Sequence, residues 1–235
     1  MHCDHYGLCG GCFYSLPYQE QLEDKKQFLS ELFEQDIEVN PSPVITGYRG
    51  RMDFVTAFGK LGLRKRKQFD QVVDIKHCRL ISENMNHVLG RIRELLKKHN
   101  IQDYDYINHQ GYLRYVSLRE AKFTGEIMVI FLTATYDENI LPVIEEIQKE
   151  VTSVIWSFHN GLREGSFGEV YRTFGADHIK EELDGIQYKI SPYSFFQSNS
   201  YVAREMFEKI KEFTPTGTGL DLYCGVGAIT LYGAG

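Results

Sequence analysis

"GYLRYVSLREA" (residues 111–121) and "EIMVIFLTAT" (residues 126–135) decide the fold. Both are dense in branched and aromatic residues, and only "KFTG" separates them. They read as a hairpin in the middle of a sheet. Further strands read outward from it. "RMDFVTAFG" (51–59) turns at Gly59-Lys60, "LGLRKRK" (61–67) returns, and "QVVDI" (71–75) follows. "SVIWSFHN" (153–160) and "EVYRTFG" (169–175) are strand-like as well. Helical periodicity marks 17–35, with Leu22, Leu29, Leu32 and Phe33 on one face and Pro17 in the first turn. It also marks 83–99, with Val88, Ile92, Leu95 and Leu96 inward, and 138–151. The expected class is α+β, with a largely antiparallel sheet.

The chain has 235 residues, 43% of them hydrophobic, enough for a sizeable core. No apolar run reaches the roughly 18 residues of a spanning helix, and no secretory leader pattern opens the sequence. A cytoplasmic protein with no membrane partner, and a monomer, is expected. Net charge is −6, which argues against a uniformly basic nucleic-acid binder. The charge is uneven, however. Residues 47–67 hold Arg49, Arg51, Lys60, Arg64, Lys65, Arg66 and Lys67 against one acid, Asp53. Such a patch suits phosphates, and it equally suits a solvated hairpin at a sheet edge.

Three of the five cysteines fall in "HCDHYGLCGGC" (2–12), spaced C-x5-C-x2-C at Cys3, Cys9 and Cys12. Cys78 stands downstream in "VVDIKHC". The odd total and a reducing compartment disfavour disulfides. Clustered thiols then point to a metal, with Cys78 as the favoured fourth ligand and His2, His5 or His77 as the fallback. Zinc and an iron–sulfur cluster both suit this set, and three clustered cysteines plus one remote fit a cubane better than paired zinc spacing. Free thiols are the third option.

Toward the other end, "SPYSFFQSN" (191–199) leads into a helix that Asn199 or Ser200 can cap. "LDLYCGVGAITL" (220–231) reads as a buried strand and a glycine-rich turn, like the opening of a doubly wound sheet. Gly225 and Gly227 give G-x-G, but Thr230 stands where the third glycine of a dinucleotide fingerprint would fall. The turn suits a cofactor or is an ordinary tight turn. Phe195 and Phe196 can stack on a base or pack in the core, and Gln197 can simply brace the turn.

In their order, the cysteine cluster, "PYQEQLEDKK", "YRGRMDFVTAFG", "LGLRKRK", "VVDIKHC", "SPYSFFQSN" and "LDLYCGVGAITL" resemble the RNA uracil-C5 methyltransferase family. The likeness is to short members without a TRAM domain, of the 23S rRNA type. It implies a [4Fe–4S] cluster on Cys3, Cys9, Cys12 and Cys78, and S-adenosyl-L-methionine as methyl donor. It implies cofactor contacts from Gln197 and Tyr223, joined in the same turn by Asp221, Gly225 and Gly227. It also implies RNA binding by the central sheet through Arg49, Arg51, Arg64, Lys65, Arg66 and Phe196. In the family's chemistry a cysteine thiolate adds to C6 of uracil, C5 takes the methyl, and a carboxylate removes the C5 proton.

The resemblance divides the chain into an iron–sulfur segment (1–16, with Cys78), a helix packing on the catalytic domain (17–46), a central RNA-binding domain (47–190) and the start of a Rossmann-like, class I methyltransferase domain (191–235). The family's nucleophile and base would lie past Gly235. A truncated product, a fragment or an incomplete gene model is therefore expected, with no catalytic residue of its own and no turnover alone. Cys224 is read as a small residue at a strand end. The function expected of the complete protein is methylation of uridine C5, 23S rRNA being favoured over tRNA uracil-54. A non-catalytic iron–sulfur RNA-binding module is the alternative, and a redox protein the weaker one.

Overall fold

The computed structural model describes residues 3–12, 16–214 and 217–234. Helix α1 (Tyr18–Phe33) is followed by strands β1 (Arg51–Ala57), β2 (Lys60–Lys65) and β3 (Gln68–Asp74). Helix α2 (Glu83–Lys98), the short β4 (Tyr104–Asp105) and β5 (Gln110–Gly111), and the long β6 (Leu113–Glu120) and β7 (Ile127–Thr133) come next. Helix α3 (Leu141–Ile147) then leads to β8 (Ser153–Phe158), β9 (Glu169–Gly175), β10 (Ile179–Leu183) and β11 (Ile186–Ile190). Helices α4 (Ser200–Phe213) and α5 (Ala228–Ala234) close the order. No helix among the described residues is long and apolar enough to cross a membrane.

Seven strands form one sheet in the order β3-β2-β1-β6-β7-β8-β9. The central hairpin stands as the sequence predicts, with Val116 opposite Phe131 and Leu118 opposite Val129. Every residue of β6 and β7 is buried, so both faces of the sheet are covered here. On one face Phe54, Val116, Leu118, Phe131 and Trp156 pack against Met85, Leu89 and Ile92 of α2 and Val143, Ile144 and Ile147 of α3. Each large side chain so buried contributes roughly 1.5–3 kcal/mol. Trp156 also satisfies its indole N–H on the Thr133 hydroxyl at 2.8 Å. The other face carries the tyrosines 104, 106 and 115 toward one end and Met128, Ile130, Ile155, Ile179 and Ile190 toward the other.

Three parts of the expected fold class are corrected. The sheet is mixed, because β7 and β8 pair in parallel. Residues 138–147 coil into a 3₁₀ turn and α3, and a crossover of that kind returns the chain in the same direction. The expected start of a doubly wound sheet is not formed. Residues 219–224 make no strand, and Leu220, Leu222 and Tyr223 are exposed by 84%, 70% and 104%. A strand needs a partner for its N–H and C=O groups, and the described residues offer this one none. Instead of a truncated sheet, the region packs as helices: α4 and α5 lie on the β10–β11 hairpin through Ala203, Phe207, Tyr232, Leu183 and Tyr188. Lastly, the iron–sulfur segment is not supported as a fold element, for reasons of geometry given below.

α1 lies within the expected 17–35, ending two residues early at Phe33, yet none of its residues is buried, and Leu32 and Phe33 of the expected face stay exposed. α2 begins at an Ser82 cap whose hydroxyl accepts from the Met85 N–H at 3.1 Å. α4 begins at the Asn199 cap, which accepts from the Val202 N–H at 3.2 Å.

Gly50 sits where β1 begins. A Cβ there would fall 2.9 Å from the Glu120 carbonyl oxygen and 3.5 Å from that of Ser198. Both neighbours are backbone and cannot swing aside. Gly50→Ala is expected to destabilise the fold by about 1–3 kcal/mol, read as a lower urea midpoint at unchanged slope.

Candidate functional site

Three distant segments cross at residues 47–51. The Gly47 N–H donates to the Arg79 carbonyl and the Arg49 N–H to that of Leu80, each at 2.8 Å. The Gly50 N–H donates to Ser198 at 2.6 Å, and the Gly50 carbonyl accepts from Glu120 at 2.9 Å. Beneath this crossing Lys122 and Glu120 form an ion pair whose side chains are 3% and 5% exposed. The second Glu120 oxygen accepts from the Ser82 hydroxyl at 2.7 Å, and the Lys122 ammonium also donates to the Gly47 carbonyl at 2.8 Å. The pair is thus hydrogen-bonded on both sides, as a buried pair must be.

The "SPYSFFQSN" turn is held from two sides. The buried Arg119 guanidinium donates to the carbonyls of Ser191, Pro192 and Ser194 at 2.7, 2.9 and 2.9 Å. Burial, then the neighbouring Arg51, pulls the Arg119 pKa down to about 10, so it remains charged at neutral pH. The buried Glu181 carboxylate accepts from the Lys122 and Phe123 N–H groups at 2.7 and 2.9 Å and from the Ser200 hydroxyl at 2.6 Å. Gln197 is half-buried and lines a narrow cleft with Gly50, Arg51 and Arg119. Phe196 is half-buried, its ring 5.6 Å from that of Tyr188, whereas Phe195 is 73% exposed. Of the two adjacent rings, Phe195 is the one presented to solvent.

The basic residues are partly engaged. Arg51 pairs with Asp53 at 3.2 Å and lies 5.0 Å over the Phe167 ring. Arg64 pairs with Glu164 at 2.9 Å and lies 4.6 Å over Tyr106. Arg49 donates from Nε to the Arg51 carbonyl at 3.0 Å, and Lys65 to the Gln71 side chain at 3.3 Å. The Arg66 N–H donates to the Leu8 carbonyl at 2.9 Å. Arg51 and Arg64 therefore brace the sheet as well as colouring its surface.

That last bond belongs to a docking of the N-terminal segment on β2. Cys9 bridges Lys65, and the Gly10 N–H donates to Arg64 at 2.9 Å. Cys78 is fixed by the Asn86 amide, which accepts from its N–H at 2.8 Å and donates to its carbonyl at 3.0 Å. Cys9 and Cys78 are buried, Cys3 and Cys12 half-buried. Burial pushes the Cys12 and Cys78 thiols up; for Cys12, Cys78, Cys9 and Cys3 then add to the effect in that order. The four thiols are thus within electrostatic reach of one another. Yet among the described residues no group of three or more His, Cys, Asp or Glu side chains is placed to hold a metal ion. The expected [4Fe–4S] site is corrected accordingly: backbone bridging to β2 and thiol burial tie this segment down. The fallback ligand His2 lies outside the described residues.

The glycine-rich turn is exposed. Tyr223, Gly225 and Gly227 all have positive φ, at 66°, 59° and 73°, and the Gly227 N–H closes on the Cys224 carbonyl at 2.8 Å. Asp221 accepts from the Thr230 hydroxyl. The turn feeds α5, which the Tyr188 hydroxyl holds at the Ala228 carbonyl (3.3 Å). The Cys224 sulfur lies 3.9 Å from the Gly225 carbonyl of its own loop.

These thiols differ in a way that alkylation can read. Cys224 is exposed, and Cys78 is buried with a raised pKa. Only the thiolate reacts. Under iodoacetamide Cys224 is expected to be modified at least about tenfold faster than Cys78, by peptide mass spectrometry. A raised folded-state pKa also favours the protonated form, so stability from Cys12 and Cys78 is fully present below the ordinary thiol pKa and is lost as pH rises from there through the raised folded-state pKa.

No family model matches the chain. It is 35% identical over 231 residues to the tRNA (uracil(54)-C(5))-methyltransferase of Pyrococcus furiosus, covering 98% of this chain and 56% of that protein. It is 30% identical over 231 residues to the 23S rRNA (uracil(747)-C(5))-methyltransferase of Pyrococcus horikoshii, covering 98% and 55%. The crystal structure of Pyrococcus abyssi tRNA (uracil-54, C5)-methyltransferase in complex with S-adenosyl-L-homocysteine superposes with a TM-score of 0.84 and 33% identity, over 93% of this chain and 54% of that one. Over nearly its whole length the chain is similar to RNA uracil-C5 methyltransferases, and it spans about half the length of the relatives it matches.

Proposed function

We propose that this chain serves the S-adenosyl-L-methionine-dependent methylation of uridine C5 in RNA. The observation that carries the reading is the likeness, over nearly the whole chain, to relatives named for that reaction on two different RNAs. The superposition on a methyltransferase that binds S-adenosyl-L-homocysteine supports the cofactor. When bound, the cofactor supplies an electrophilic methyl group. Gln197 on its clamped turn, with Asp221, Tyr223, Gly225 and Gly227, is assigned to the cofactor side. Arg49, Arg51, Arg64, Lys65 and Arg66 are assigned to RNA phosphates, with Phe196 packing behind the turn that meets them. No described residue is assigned as nucleophile or general base.

Of the two RNAs, tRNA is the one that identity favours: relatives named for tRNA uracil-54 are 35–37% identical, and those named for 23S rRNA uracil-747 are 30–32%. This reverses the order expected from sequence motifs. Deleting the gene that encodes this chain is expected to remove 5-methyluridine from tRNA while leaving it in 23S rRNA, measured by nucleoside mass spectrometry of the two RNA pools. Loss from rRNA alone would restore the ribosomal reading, and unchanged levels in both would sink the proposal.

A further inference from the structure

Residues 159–168, "HNGLREGSFG", connect β8 to β9 and were not singled out by any sequence motif. The fully buried Arg114 of β6 fixes this loop from beneath. Its Nη1 donates to the carbonyls of His159 and Gly161 at 2.9 and 2.7 Å, and its Nη2 to that of Arg163 at 3.1 Å. The guanidinium lies 4.4 Å over the Tyr104 ring, which covers it. The loop is tied sideways as well, by Glu164 to Arg64 at 2.9 Å and by the Ser166 hydroxyl to Arg51 at 3.5 Å. Ten residues are thereby pinned to the sheet and to the basic hairpin.

Despite that anchoring, Phe167 is 57% exposed. Its ring is set between the Arg51 guanidinium, 5.0 Å from the centroid, and the Tyr193 ring at 5.4 Å. Tyr193 belongs to the clamped "SPYSFFQSN" turn, so Phe167 stands between the basic strand and that turn. Arg163 is exposed on the same loop. An aromatic ring set at the surface beside the Arg51 guanidinium, on an anchored loop that also exposes Arg163, offers what an unpaired base uses: a stacking plane and phosphate partners. A protein partner would more often seek a broader apolar patch without this concentration of cations.

We propose that residues 159–168 form a contact for single-stranded RNA, in which Phe167 stacks on an unpaired base and Arg163 meets the adjoining phosphate. The inference rests on the RNA reading above. It is tested by fluorescence anisotropy of this chain with a labelled RNA stem-loop carrying unpaired uridines, beside a duplex RNA of equal length. Phe167→Ala is expected to weaken stem-loop binding about tenfold and duplex binding by less than twofold. Phe167→Trp should retain stem-loop affinity, and Arg163→Gln should reduce the salt dependence by about one phosphate contact. Circular dichroism melts check that the exposed substitutions leave the fold intact. Stem-loop affinity unchanged in Phe167→Ala, or an equal loss on duplex and stem-loop, overturns the stacking contact while the RNA reading stands. Failure of the unaltered chain to bind either RNA overturns both.

Discussion

The ion pair of Lys122 and Glu120 is what the rest of the molecule is arranged around. Two opposite charges are withdrawn from water at the point where residues 47–50, the Cys78–Ser82 loop and the sheet meet. Removing one partner from such a pair costs about 3–5 kcal/mol, because the other is left buried and uncompensated. The pair therefore enforces the crossing rather than merely tolerating it. Through the crossing, Gly50 meets Ser198, Arg49 bridges Asn199, and the cap of α4 is set relative to the sheet. A shift at Glu120 would be felt at Gln197 even though the two need not touch.

β6 extends the same logic along its length. Near one end Arg119 holds the "SPYSFFQSN" turn by three carbonyls, and near the other Arg114 holds the loop after β8 by three more. Strict alternation would send residues five apart to opposite faces. A register shift between Leu113 and Tyr115 interrupts that alternation and lets Arg114 reach Tyr104 and Tyr106, which pack beside Tyr115. The bulge re-aims one side chain, as bulges near functional surfaces do. One fully buried strand thus anchors two loops.

How much of this could be read in the sequence depends on range. The central hairpin, α2 and the Asn199 cap were legible because each is encoded within one continuous stretch of sequence. The parallel pairing of β7 with β8 was not, since uniformly apolar strands carry no mark of direction. "LDLYC" has the composition of a buried strand, but composition cannot supply a neighbour to pair with. The split between Phe195 and Phe196 was hidden for a related reason: in an irregular turn no period says which ring faces in. Most opaque were Arg114 and Arg119. Arginine in a strand reads as a surface residue, and only the folded chain brings the carbonyls 45 to 75 residues away that explain their burial.

The same distinction bears on the cysteines. Their spacing was legible and pointed to a metal, yet the structure assigns the docking of that segment to backbone contacts with β2. The two facts concern different links in the chain from sequence to function. A bridge from Cys9 to Lys65 fixes where the segment lies, and the Asn86 amide fixes where Cys78 lies, so both cysteines are placed by backbone hydrogen bonding. Because that docking also seats Gly10 on Arg64 and Leu8 on Arg66, the N-terminal segment sets the backbone of the basic hairpin from outside. Charge on that hairpin is then presented on a strand braced through its backbone by the cysteine segment and through the Arg64 side chain by Glu164 of the anchored loop. The shape of the basic surface follows from those two braces more than from the number of its lysines and arginines.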